Sequence, residues 1–203
     1  LHLTQQKENK AMKITRVITY VVSDTALGKT LASQTAFHWV FVKVETDEGV
    51  TGWGEAGTSS RAAGTAMGTG IEAVKESIIG ENPMDIERLW HKVYRRFSYM
   101  GARGCGTSLV AAFDTALWDI KGKVAGMPVY ELLGGRFRDP ISLYCNTWFR
   151  GCTTPGEYAD AAKRNVTSIG HTACKLDPFL EMRPSHTMYQ DGQISADGEN
   201  LGC

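Results

Sequence analysis

No run of 18 consecutive apolar residues occurs in the 203-residue chain, and its first twelve residues are mostly polar instead of charged and then apolar. Neither a membrane-spanning helix nor a secretory leader is indicated, so a cytoplasmic protein is expected. Net charge is also lacking. The 22 Lys+Arg balance 22 Asp+Glu, leaving no global field for nucleic acid or an anionic membrane, and neither is expected as a partner. The five cysteines, Cys105, Cys145, Cys152, Cys174 and Cys203, include no C-x-x-C pair, which argues against a zinc knuckle or a redox motif. Buried reduced thiols are the expectation for them. No Walker loop, G-x-S-x-G elbow or H-E-x-x-H occurs, and His38, His91, His171 and His186 are dispersed. What remains is 42% apolar and 22% charged, enough for a substantial core in an ordinary globular protein.

Residues 1–11 read as a leader or disordered terminus before the run Met12-Lys-Ile-Thr-Arg-Val. Strands are predicted over 13–22, 36–46 and 50–55. Val40, Val42 and Val44 fall on one face, Phe41 and Lys43 on the other, the period-two signature of a sheet covered on one side. The tetrad Thr46-Asp-Glu-Gly49 reads as a turn, so the chain opens as a three-stranded antiparallel meander. Helices follow: one carrying Ile71, Val74 and Ile78, one from Asp85 to Tyr94, and one over 107–125. In the third, Leu109, Phe113, Ala116, Leu117, Ile120 and Val124 line one side, and Gly126 with Pro128 ends it. Residues 12–135 are thus expected to form an α+β domain.

From 136 to 203 the pattern changes. A strand over 141–147, a helix from Thr154-Pro-Gly-Glu157 to about Ser168, and a strand bearing Lys175 make a βαβ unit with parallel strands. Ala173-Cys-Lys175-Leu-Asp177-Pro-Phe179 reads as a buried strand delivering Lys175 and Asp177 to one face, with Cys174 and Leu176 on the other. A buried salt bridge or two surface charges would also fit the pair. Pro178 forces the chain out of the strand just past Asp177, however, and charges at the end of a parallel strand are where barrel enzymes place their chemistry. In Gly52-Trp53-Gly54-Glu55, Trp53 is expected in the core, while Glu55 ends a strand beside a Gly/Ser/Thr-rich loop and is a site candidate. The glycines of 101–106 run G-x-x-G-x-G after a helix, which lacks the dinucleotide-binding context and suits a flexible lead into the third helix.

Several long blocks in order carry a resemblance: Met12-Lys-Ile-Thr, Val44-Glu-Thr-Asp-Glu-Gly-Val-Thr-Gly-Trp-Gly-Glu55, Ala111-Ala-Phe-Asp-Thr-Ala-Leu-Trp-Asp-Ile-Lys-Gly-Lys123 and Val129-Tyr-Glu-Leu-Leu-Gly-Gly135. From about Met12 to Phe179 the chain resembles the enolase superfamily, in its mandelate racemase/muconate lactonizing enzyme subgroup. The resemblance implies an α+β capping domain followed by the first βαβ part of a (β/α) TIM-type barrel. A whole barrel needs eight βα units and about 250 residues, so the barrel is incomplete in this chain. The rest is expected in the same polypeptide or in another chain, and a homo-oligomer is expected.

The implied chemistry is Mg²⁺-dependent removal of the proton α to a carboxylate, with loss of a β-hydroxyl as water from a sugar acid: a dehydratase, a carbon–oxygen lyase. The family's K-x-K strand maps onto Lys175-x-Asp177, which keeps the first lysine and replaces the second. Racemase or cycloisomerase activity is the alternative that this replacement weakens, and a catalytically silent binding or assembly module is another. Lys175 and Asp177 are the catalytic candidates. The implied specificity loops, about 23–36 and 56–64, offer Asp24, Lys29, Ser59 and Arg61, which with Glu55 are the substrate-binding candidates. Metal ligands are expected on barrel strands outside this chain, and none within it. The isolated chain is expected to be inactive.

Overall fold

The computed structural model describes residues 11–23, 38–57, 61–100, 103–146, 148–149 and 151–176. They belong to two compact units divided between Gly135 and Arg136. In the first, β1 (Ile14–Ser23), β2 (His38–Thr46) and β3 (Thr51–Ala56) form the expected meander, in the order β1-β2-β3 with both pairings antiparallel. Gly49 takes the left-handed conformation, φ 77°, that the β2–β3 turn requires. Register carries the core across the sheet. Val17 pairs with Val44, which pairs with Gly52, while Val42 faces Gly54 and Val40 faces Ala56. The three β2 valines on that face are fully buried.

Helices cover this face. α1 (Arg61–Val74, extended by a 3₁₀ turn over Lys75–Ser77) and α3 (Cys105–Ala125) lie against the strands, while α2 (Ile86–Tyr94) and the short α4 (Val129–Leu132) pack on α3. The expected loop to residue 64 is shorter than read. Residues 61–64 already form the first turn of α1, because Met67, Ile71, Val74 and Ile78 bury one continuous stripe that outweighs the helix-weakening glycines. On α3 the expected stripe holds through Ile120, and Gly126 closes the helix in the left-handed conformation, φ 64°. Val124 departs from expectation at 46% exposure. Ala116 and Ile120 already meet Gly52 near the start of β3, and one turn later the helix has passed the strand.

The glycines of β3 let helix and sheet touch through their backbones. A methyl group at Gly54 would sit 1.9 Å from the Ala112 carbonyl oxygen, and one at Gly52 would sit 2.0 Å from that of Ala116. The spacings match. Two strand residues advance about 6.6 Å and four helix residues about 6 Å, so Gly52-x-Gly54 and Ala112-x-x-x-Ala116 run in step. Alternation then sends Trp53 to the opposite face, which corrects its expected place in the core. It is 43% exposed, stacked on Tyr20 at 5.5 Å between centroids, with Lys43 Nζ 5.9 Å from its ring centre. The edge of β3 is satisfied by α3: the Trp53 N–H donates to Asp119 Oδ2 at 2.9 Å, and Lys123 Nζ donates to the Thr51 carbonyl at 2.8 Å.

In the second unit α5 (Pro155–Arg164) continues into a π-helical turn over Asn165–Ile169. The predicted capping box is present. Thr154 Oγ1 accepts from the Glu157 N–H at 3.3 Å, and Glu157 Oε2 accepts from the Thr154 N–H at 3.0 Å and the Thr153 N–H at 2.6 Å. Those hydrogen bonds, led by the Thr153 N–H, hold the Glu157 carboxyl below its ordinary value of 4.5. A lowered folded pKa supplies stability above the unfolded value of 4.5, and that stability is lost as pH falls through the lower folded value. Acidification below pH 4.5 is therefore expected to fray the start of α5, read as lower exchange protection, relative to the intrinsic rate at the same pH, for the Thr153, Thr154 and Glu157 amides. Thr154→Ala should cost α5 about 1 kcal/mol at neutral pH.

The two strands of the expected βαβ unit shrink to one parallel bridge, Cys145 with Cys174. Ile141, Leu143, Tyr144 and Leu176 are 77, 71, 58 and 44% exposed, so the region around Lys175 is not the buried strand that was expected. Parallel strands bury both faces against neighbours, and a single pair has none to bury them. The thiols follow suit. Cys105 is exposed and Cys145, Cys152 and Cys174 are partly exposed, against the expectation of burial, while Cys203 lies outside the described residues. No helix among the described residues is long and apolar enough to cross a membrane.

Candidate active site

The residues proposed from sequence distribute as follows. Glu55 lies in β3 opposite Phe41, exposed on the same face as Trp53. Arg61 is the first residue of α1. Asp24, Lys29, Ser59 and Asp177 lie outside the described residues. Lys175 is described, exposed, and directly follows the bridge between Cys145 and Cys174. Glu55 and Lys175 thus belong to different units.

Around Lys175 the local structure is built upward from Cys145. The Cys145 N–H donates to the Ala173 carbonyl at 2.9 Å, and its carbonyl accepts the Lys175 N–H at 2.8 Å, the slanted alternation of a parallel pair. The Cys145 thiol donates to Asn165 Oδ1 at 3.2 Å. Asn165 is buried and donates its own amide to the Ala161 carbonyl at 3.0 Å, tying the end of α5 to the bridge. Trp148 follows the first half of the bridge and donates its indole N–H to the Lys175 carbonyl at 2.7 Å. Its ring packs edge-on against Phe149 and Tyr158, with centroids 5.5 and 6.4 Å away. Trp148 and Asn165 were not foreseen as site residues. The only available signal was a tryptophan just past a predicted strand, whose N–H needs a partner when its ring is packed.

Elsewhere, a cavity of about 330 Å³ sits at the C-terminal end of α3, lined by Asp119, Gly122, Lys123, Gly126, Met127, Pro128 and Val129. Both of its charged side chains are engaged. Lys123 Nζ lies 2.7 Å from Asp119 Oδ2, and both also hold the β3 edge. Burial, then the like charge of Glu87, pushes the Asp114 carboxyl above its ordinary value. These two carboxylates belong to α3 and α2, so the shift comes from helix packing. Among the described residues no three His, Cys, Asp or Glu side chains converge as a metal site would require.

Residues 13–134 match the family described as mandelate racemase / muconate lactonizing enzyme, N-terminal domain. The chain is 42% identical over 140 residues to a D-galactonate dehydratase of Variovorax paradoxus, which covers 69% of this chain and 32% of that protein. It is 42% identical over 172 residues to a D-galactonate dehydratase of Xanthomonas campestris pv. campestris, covering 85% of this chain and 40% of that protein. A solved structure of a member of the enolase superfamily from Salmonella Typhimurium superposes with a TM-score of 0.70 at 35% identity, over 82% of this chain and 42% of that one. The chain therefore spans about a third to two fifths of the length of the relatives it matches.

Proposed function

The chain belongs to the mandelate racemase/muconate lactonizing enzyme family through its N-terminal domain, and on that premise we propose that it forms the capping domain and first barrel segment of a sugar-acid dehydratase. The observation that carries this reading is the 42% identity over 172 residues to a D-galactonate dehydratase. The substrate class is an aldonic acid of the D-galactonate kind. In the reaction the C2 proton leaves to a base and its electron pair forms the enediolate. The C3 hydroxyl then departs as water, taking up a proton from a general acid, and the resulting enol passes its O–H proton by way of solvent to C3 to become a 2-keto-3-deoxy acid. The carboxylate gains charge as the proton leaves, so a cation placed beside it stabilises the transition state more than the ground state.

Lys175, with three ammonium donors on a flexible stem, is assigned that role, with Asp177 orienting it or contacting substrate hydroxyls. Glu55, Asp24, Lys29, Ser59 and Arg61 would select the substrate from the capping domain. Mg²⁺ would neutralise the enediolate, but the described residues do not form a site that fits it, so its ligands are assigned to further barrel strands. Those strands would come from the same polypeptide or from another chain, in a homo-oligomer.

The test is turnover of a panel of aldonic and aldaric acids by the complete polypeptide with and without Mg²⁺. A 2-keto-3-deoxy product from an aldonic acid, lost on chelation, is expected. Exchange of the α-proton with solvent deuterium without dehydration would point to a racemase instead. No product from any acid would sink the dehydratase reading.

A further inference from the structure

We infer that Trp148 is a positioning residue for Lys175, an assignment that rests on the proposed dehydratase reading for its catalytic consequence. Both peptide units flanking the Lys175 Cα are anchored. The N–H on one side donates to the Cys145 carbonyl at 2.8 Å, and the carbonyl on the other accepts the Trp148 indole N–H at 2.7 Å. The first bond restrains φ of Lys175 and the second restrains ψ, so the direction in which its side chain leaves the backbone is set at both ends.

The bridge alone cannot do this. It ends at Cys174, and the residues after it have no further strand partner among those described. The indole is itself held in place: its ring lies edge-on to Phe149 and to Tyr158 of α5, and Phe149 and Tyr158 stack on each other at 6.2 Å. The start of α5 is fixed in turn by the capping box at Thr154 and Glu157. A chain of contacts thus runs from the helix N-terminus through three aromatic rings to the backbone of Lys175.

Trp148→Phe keeps an aromatic ring and removes the donor. In the 203-residue chain, amide exchange at Lys175 should accelerate roughly 2- to 10-fold, the range of one neutral hydrogen bond. The Lys175 carbonyl carbon should move upfield, and α5 should keep its helical signals. Unchanged exchange and an unchanged carbonyl shift at Lys175 would overturn the assignment. A measurement on the unsubstituted chain guards against a variant that does not fold. The Trp148 indole proton should exchange several-fold more slowly than that of free tryptophan, and equal rates would overturn the assignment too. In the complete polypeptide, Trp148→Phe should lower kcat on the aldonic acid roughly 10-fold with KM unchanged, whereas a purely structural role would lower the amount of folded enzyme and leave kcat per folded molecule intact. If the exchange and carbonyl changes appear but the unsubstituted complete protein turns over no sugar acid, the dehydratase reading falls and the anchoring of Lys175 stands.

Discussion

Gly54→Ala is expected to destabilise the N-terminal unit by at least about 3 kcal/mol, the upper end of what overpacking ordinarily costs. The added methyl would lie 1.9 Å from the Ala112 carbonyl oxygen, 2.9 Å from its carbonyl carbon and 3.0 Å from the Ala116 nitrogen. All three are backbone atoms of α3, so no side chain can rotate away. Relief requires the helix to lift from the sheet, and that opens the layer in which Val42, Phe113 and Leu117 are buried. A domain has roughly 5–15 kcal/mol in all, so this loss is a large share of its stability. Thermal melting should fall by about 10 °C or more. Gly57→Ala is the matched control: among the described residues no atom beyond its chain neighbours lies within 4 Å of the methyl it would add, and its melting should stay close to that of the parent. Equal melting of the two variants would disprove the backbone-to-backbone contact.

Lys175→Ala in the complete polypeptide is expected to reduce kcat on the aldonic acid roughly 10²- to 10³-fold, the usual loss when one preorganised donor to a developing charge is removed. This follows from the proposed role, in which the ammonium matters most when the carboxylate becomes an enediolate. KM should change less than kcat, because the ground-state carboxylate keeps its other partners. Folding should be unaffected, since the side chain is exposed and the bonds that hold the segment are backbone bonds of Lys175 and Cys145. Lys163→Ala, at an exposed position on α5, should leave kcat as it was. A Lys175→Ala enzyme with parental kcat would remove this residue from the mechanism.

The meander, the buried valines of β2, the stripe of α3 and the capping box of α5 were all legible in the sequence, because each is written in a local period or a short-range hydrogen bond. The misreadings share one cause. A lone tryptophan on a small sheet reads as core from its own hydrophobicity, but the glycines flanking Trp53 mark the side of the strand that α3 approaches. The pairing of Gly52-x-Gly54 with Ala112-x-x-x-Ala116 was on view in the sequence, but only the fold shows that these segments meet. The resemblance implies a loop to residue 64, whereas burial of Met67 and Ile71 carries α1 back to Arg61.

For the site, the spacing of Lys175-x-Asp177 put two charged residues on one strand face, the resemblance carried by the family blocks implied a carboxylate chemistry, and the capping-domain family is established by the match over residues 13–134. The partner of Lys175 was not legible. Trp148 lies 27 positions away in sequence, and its indole reaches the Lys175 carbonyl only because the Cys145–Cys174 bridge and the aromatic contacts with α5 fold the segment back on itself. Sequence by itself thus determined periodicities, caps and family, which depend on neighbours a few residues apart. Tertiary structure alone decided which face of β3 meets α3 and which group holds the backbone of Lys175, because both depend on contacts between segments that no local pattern brings together.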